Sequence, residues 1–251
     1  MISDFPLFLF TVLAGLASGG YIASAFLPDK GSKANPWLFP AVSLVLLAVG
    51  GVAAFMHLGR PELAYQMAGN LGSPLMLEGI TAACLAVVSI VDLVMCRKGA
   101  KNVHVVRIIG AVFGAACLVA MTYAYAISFG NDAWSATPTC LLFVVGGLAG
   151  GVALWAALAQ LANLRAFRAN AVVDAAFACV LVWQAIVFAD IGADGVACIA
   201  AGAVLAAAGT LVALAQPKIK AKASAVMPVV AVLSIAALVV SRYGFYMASI
   251  I

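Results

Sequence analysis

Between Phe55 and Glu78 the chain gathers His57, Arg60, Glu62 and Glu78 in surroundings that are otherwise almost wholly apolar. Each of these residue types has a use in proton chemistry. A neutral His is a hydrogen-bond acceptor and base near pH 7. A carboxylate at the edge of an apolar phase can take a proton and relay it outward. An Arg supplies a charge that never titrates. Together they suit a substrate that dissolves in lipid and must lose protons. Charged groups at the centre of a bilayer cost about 3 kcal/mol or more, so ionisable side chains at such a boundary are functional candidates.

The elements that position them follow from composition. Of 251 residues, 66% are hydrophobic and 9% are charged, against about 25% charged in soluble domains. This is a polytopic membrane protein. A spanning helix needs about 20 mostly apolar residues, and eight segments qualify: Phe5–Leu27, Trp37–His57, Leu75–Cys96, Val103–Phe129, Thr139–Leu161, Ala171–Ala189, Gly195–Ala215 and Ala225–Ser249. Pro28 to Gly31, Asn35-Pro36, Gly130 to Asp132, Pro138 and Gln216-Pro217 punctuate them. The expected fold is one all-α integral membrane domain of eight transmembrane helices spanning residues 1–251. Met1 to Pro6 lacks a basic n-region and is expected to open a retained first helix.

In the second connection, Pro61 is placed to begin a short interfacial helix that Gly69-Asn70 would stop. Ser73-Pro74 reads as the N-cap and first residue of the third spanning helix. At 1.5 Å per residue Glu78 then lies roughly 6 Å inside that cap. His57 closes the second helix on the same side, so the two are expected at similar depth.

Charge placement sets the expected orientation. Lys30, Lys33, Arg97, Lys98, Lys101, Arg107, Arg165, Arg168, Lys218, Lys220 and Lys222 collect at one end of the bundle. Arg60 and Arg242 complete the 13 basic residues at the other. The positive-inside rule places the first end in the cytoplasm and both termini outside it. No basic block suits nucleic acid. The 6 cysteines form no C-x-x-C pair, so no iron–sulfur cluster is expected in this chain. The 2 histidines, His57 and His104, fall at opposite membrane faces, which argues against bis-His haem. Four G-x-x-x-G pairs, Gly15/Gly19, Gly110/Gly114, Gly146/Gly150 and Gly147/Gly151, are read as helix packing. Asp92 and Asp174 lie towards the cytoplasmic ends of their helices, close to Arg97, Lys98 and Arg168, and are read as structurally paired there, with a proton path as the alternative. Asp190 and Asp194 crowd the outer face and suit a docking surface.

A quinol fits the clustered groups: it is lipid-soluble, and its oxidation needs proton acceptors and an electron acceptor. The run His57 to Pro61 followed by Ser73 and Glu78 resembles the anchor subunits of the dimethyl sulfoxide reductase type. The opening Phe10 to Gly20 and the closing Arg242 to Tyr246 are similar to that family's first and last helices. The resemblance implies a subunit of the bacterial cytoplasmic membrane that oxidises menaquinol in anaerobic respiration. It implies a four-cluster ferredoxin-like iron–sulfur partner and a molybdopterin catalytic subunit, docked on the outer face. It assigns His57 and Glu78 to the quinol-site His and acid, with Arg60, Tyr65, Arg242 and Tyr246 as further quinol-binding candidates. Gly15 stands where some relatives carry Gln, Leu63 where many carry Arg, and the interval from His57 to Glu78 is about one residue short. The residues also admit simpler roles. Glu78 has Arg60 or Arg242 within its face for an ion pair, Arg242 can snorkel, and Tyr65, Tyr243 and Tyr246 can form an interfacial belt. A small-solute transporter is the alternative function.

Overall fold

The computed structural model describes residues 4–28, 34–58, 62, 65, 66, 69–218 and 222–248. Its elements are α1 (Phe5–Phe26), α2 (Leu38–His57), α3 (Pro74–Arg97), α4 (Val103–Ala126), α5 (Thr139–Leu158), α6 (Leu164–Asp190), α7 (Val196–Ala215) and α8 (Ala223–Met247). All eight are long and apolar enough to cross a membrane. Ser73 caps α3 as its sequence suggests, its Oγ accepting from the Met76 amide at 3.3 Å. The interfacial helix expected from Pro61 lies mostly outside the described residues.

One boundary moves substantially. Helix α6 begins at Leu164, seven residues before the apolar run from Ala171. Hydropathy misses this turn because it carries Arg165 and Arg168. Asn163 nonetheless caps it, its Oδ1 accepting from the Ala166 amide at 2.9 Å.

The sequence shows no internal repeat, but the packing repeats. Helix α1 packs on α2, α2 on α3, α3 on α4, and α4 returns to α1. Helices α5, α6, α7 and α8 close a second ring in the same order. The two four-helix halves meet along α1, α4, α5 and α8. Glycines at this seam act through backbone proximity. A methyl group on Gly19 would overlap the Gly147 carbonyl, and one on Gly151 would overlap the Gly19 backbone. At the neighbouring α1–α4 contact, a Cβ on Gly114 would stand 2.7 Å from the Ser18 carbonyl oxygen. In lipid, where helices gain little from hiding apolar surface, such close approach provides the dispersion contact that holds them together.

Two expected ion pairs are replaced. Asp92 pairs with Arg107 of α4 at 3.5 Å, not with Arg97 or Lys98. Arg97 instead lies over the Trp37 ring at 4.1 Å. Asp174 accepts a hydrogen bond from Ser234 of α8 at 2.7 Å, not an ion pair from Arg168. Residues five or six apart on a helix fall on different faces. A buried Asp therefore finds its partner on a neighbouring helix.

Candidate functional site

Glu78 is the fifth residue of α3 and is 3% exposed. The Ser73 cap fixes its register, and Thr81 holds the turn by donating to the Leu77 and Glu78 carbonyls at 2.7 and 3.1 Å. Glu78 lines a cavity of about 480 Å³ between α1, α2 and α3. The other walls are apolar, including Phe10, Leu47, Phe55, Leu58 and Ile80. Gly51 and Gly79 also line it, and a Cβ at either would meet no atom within 4 Å. Phe55, Val52 and Met56 beside it are exposed on the lipid-facing side of α2. The Glu78 Oε1 atom is buried and has no hydrogen-bond partner. An orphan carboxyl oxygen in such a place costs several kcal/mol of desolvation. That cost is relieved when a donor arrives.

His57 ends α2 on the same side. Its ring does not line the cavity, although its neighbours Phe55 and Leu58 do. The imidazole sits at the rim, about a third exposed, with Nδ1 3.9 Å from an Asp4 carboxylate oxygen. This pairing follows from topology: antiparallel α1 and α2 pack together, so the start of one meets the end of the other. Asp4 is thus the acidic neighbour of the ring. Arg60 lies outside the described residues. Tyr65 is 71% exposed and is not among the cavity's lining residues.

Between α1, α4, α5 and α8 is a polar cage that the sequence does not reveal. Tyr246 bonds hydroxyl to hydroxyl with Tyr125 of α4, and lies 3.2 Å from the Thr11 hydroxyl of α1. Tyr125 stacks on Phe143 at 4.6 Å, and Trp134 and Phe245 close the cluster.

Arg242 is 1% exposed and does not snorkel. Its guanidinium lies 3.5 Å over the Phe143 ring, and its Nη2 donates to the Leu142 carbonyl at 3.3 Å. Its Nε and Nη1 have no hydrogen-bond partner, so the ion pair with Glu78 that the sequence allows is not formed. Tyr246 is likewise no belt residue, being fully buried, whereas Tyr243 is 38% exposed. Arg242 and Tyr246 belong to this inner cage, not to the cavity wall. The apolar sequence of α8 carries both inward, and only the packing of α8 on α5 shows which way they face.

Glu78, the His57–Asp4 pair and the inner cage are three separate polar features in an otherwise apolar bundle. Asp4, Thr11 and Tyr125 are additions that the sequence does not single out. Asp4 carries a usable signal, since it opens the helix antiparallel to the one His57 closes. Tyr125 carries none.

A sequence model of the DMSO reductase anchor subunit (DmsC) matches residues 1–247. A subunit of the anaerobic dimethyl sulfoxide reductase of Haemophilus influenzae is 30% identical over 156 residues, a match covering 58% of this protein and 56% of that relative. The matched region thus spans about half the length of that curated relative. Eight spanning helices, a carboxyl-lined cavity at one end and a family match over nearly the whole sequence agree: the chain belongs to the DMSO reductase anchor subunit family.

Proposed function

We propose that this chain is the quinol-oxidising membrane anchor of a reductase complex, and that the cavity between α1, α2 and α3 seats the quinol headgroup. The single observation that carries this reading is the orphan Glu78 oxygen at the wall of an otherwise apolar cavity between α1, α2 and α3. Oxidising a quinol releases two protons and two electrons and leaves the quinone. Glu78 takes one hydroxyl proton, and the His57–Asp4 pair at the rim takes or relays the other to the aqueous side. The electrons pass to a four-cluster ferredoxin-like iron–sulfur subunit, and thence to a molybdopterin subunit that reduces the terminal acceptor. Charge placement supports an outer location for this end, with both termini outside the cytoplasm of a bacterial cell. Asp190 and Asp194, exposed on that end, offer acidic contacts for the partner. Menaquinol is the quinol proposed, in keeping with anaerobic respiration.

Two substitutions test the site from opposite directions. Glu78→Gln keeps the shape and removes the proton acceptor, and should lower quinol oxidation by the assembled complex about a hundredfold, the scale of a general base. Gly79→Leu fills open space, and should block quinol access while subunit assembly stays normal. Unchanged quinol oxidation in both would refute the site. A transporter, by contrast, would purify without cofactor-bearing subunits.

A further inference from the structure

At the end opposite Glu78, the termini of α1, α3 and α4 enclose a second cavity, of about 770 Å³. Its walls divide by chemistry. Lys101, His104, Arg107 and Arg165 supply basic groups, while Phe26, Pro28, Pro36 and Val103 are apolar. No acidic side chain is among the described residues lining it. Arg107 is already paired with Asp92 behind the wall, and its guanidinium lies 4.8 Å over the Trp155 ring. It is therefore a fixed part of the floor. Arg165 is held in place as well, its Nη2 donating to the Phe26 carbonyl at 3.1 Å. Lys101 and Arg165 are exposed and carry the charge that faces the opening. The volume lies within the roughly 300–1,000 Å³ of small-molecule sites.

We propose that this cavity binds the phosphate headgroup of an anionic membrane phospholipid, with Lys101 and Arg165 on the phosphate and the Phe26–Val103 side along the first acyl carbons. A phosphate diester needs cations to replace its water, and basic pockets between spanning helices meet that need at headgroup depth. The position argues for a lipid over a free anion. Phe26, 68% exposed at the last turn of α1, offers acyl chains an apolar wall that inorganic phosphate would not use.

Native mass spectrometry of the full chain, purified with whatever subunits accompany it and then stripped of lipid, tests this by titration. Phosphatidylglycerol should be retained in preference to phosphatidylethanolamine. In the Lys101→Gln/Arg165→Gln double variant its retention should fall about thirtyfold, the loss expected for two basic residues beside an anionic lipid. Arg168→Gln removes an exposed charge at the same end without touching the cavity, and should change nothing. Equal retention of phosphatidylethanolamine would overturn the proposal. So would an equal loss in Arg168→Gln, which would mark diffuse surface attraction. Displacement of the lipid by an equal concentration of inorganic phosphate would overturn the lipid as occupant. None of these readouts depends on quinol oxidation at the other end.

Discussion

His57 and Glu78 are 21 positions apart in sequence and differ sharply in surroundings. Glu78 is sealed in apolar packing with one oxygen unsatisfied, whereas His57 is wet and paired with Asp4. Under the proposed function this contrast fits two separate acceptors, Glu78 for one quinol proton and the His57–Asp4 pair for the other. The inner cage ties three helices together. Tyr246 ties α8 to α1 through Thr11 and to α4 through Tyr125. Tyr246→Phe deletes both contacts while keeping the ring, and should lower the unfolding free energy of the purified protein by about 1 kcal/mol, as for hydrogen bonds between membrane helices. Thermal unfolding in detergent reads this. His57 and Glu78 can be picked out from sequence because isolated ionisable residues stand out in an apolar chain. Arg242 and Tyr246 stand out as well, but the way they face does not. A residue near a helix end can turn to water or to the core, and only the neighbouring helix decides.

Helix existence is readable everywhere, since twenty apolar residues between Gly, Pro and Asn punctuation leave little freedom. The α6 start is not, because a capped, polar first turn carries no hydropathy signal. Nor are the partners of Asp92 and Asp174, which depend on which helices adjoin. The glycines are visible, but their weights are not. Gly151 and Gly51 look alike in sequence, yet one touches the Gly19 backbone and the other faces open space. Gly151→Leu should therefore cost about 3 kcal/mol or more by forcing α1 from α5, at the upper end for overpacking. Gly51→Leu should stay within about 0.5 kcal/mol, as for substitutions that disturb no packing. Detergent melting curves of the two variants would show the contrast. Equal destabilisation would mean the α1–α5 seam is not where the halves are held.

Across the whole molecule, two four-helix halves share a seam built on α1 and α5, and the two ends differ in chemistry. One end carries a carboxyl-lined cavity with an imidazole at its mouth; the other carries a cavity ringed by Lys101, His104, Arg107 and Arg165. The charge asymmetry is plain from sequence because the basic residues cluster at alternate connections. The repeat of packing is hidden, since lipid-facing positions accept any apolar residue and keep no record of the ring order. The central claim is that a quinol headgroup lies between α2 and α3 beside Glu78. A photoreactive quinone, activated in membranes and mapped by peptide mass spectrometry, tests this most directly. Labelling should fall on the Leu44–Leu58 and Leu75–Ala86 stretches, and excess menaquinol should prevent it. Labelling confined to α6 and α7, or to the Lys101–Arg107 end, would contradict the account.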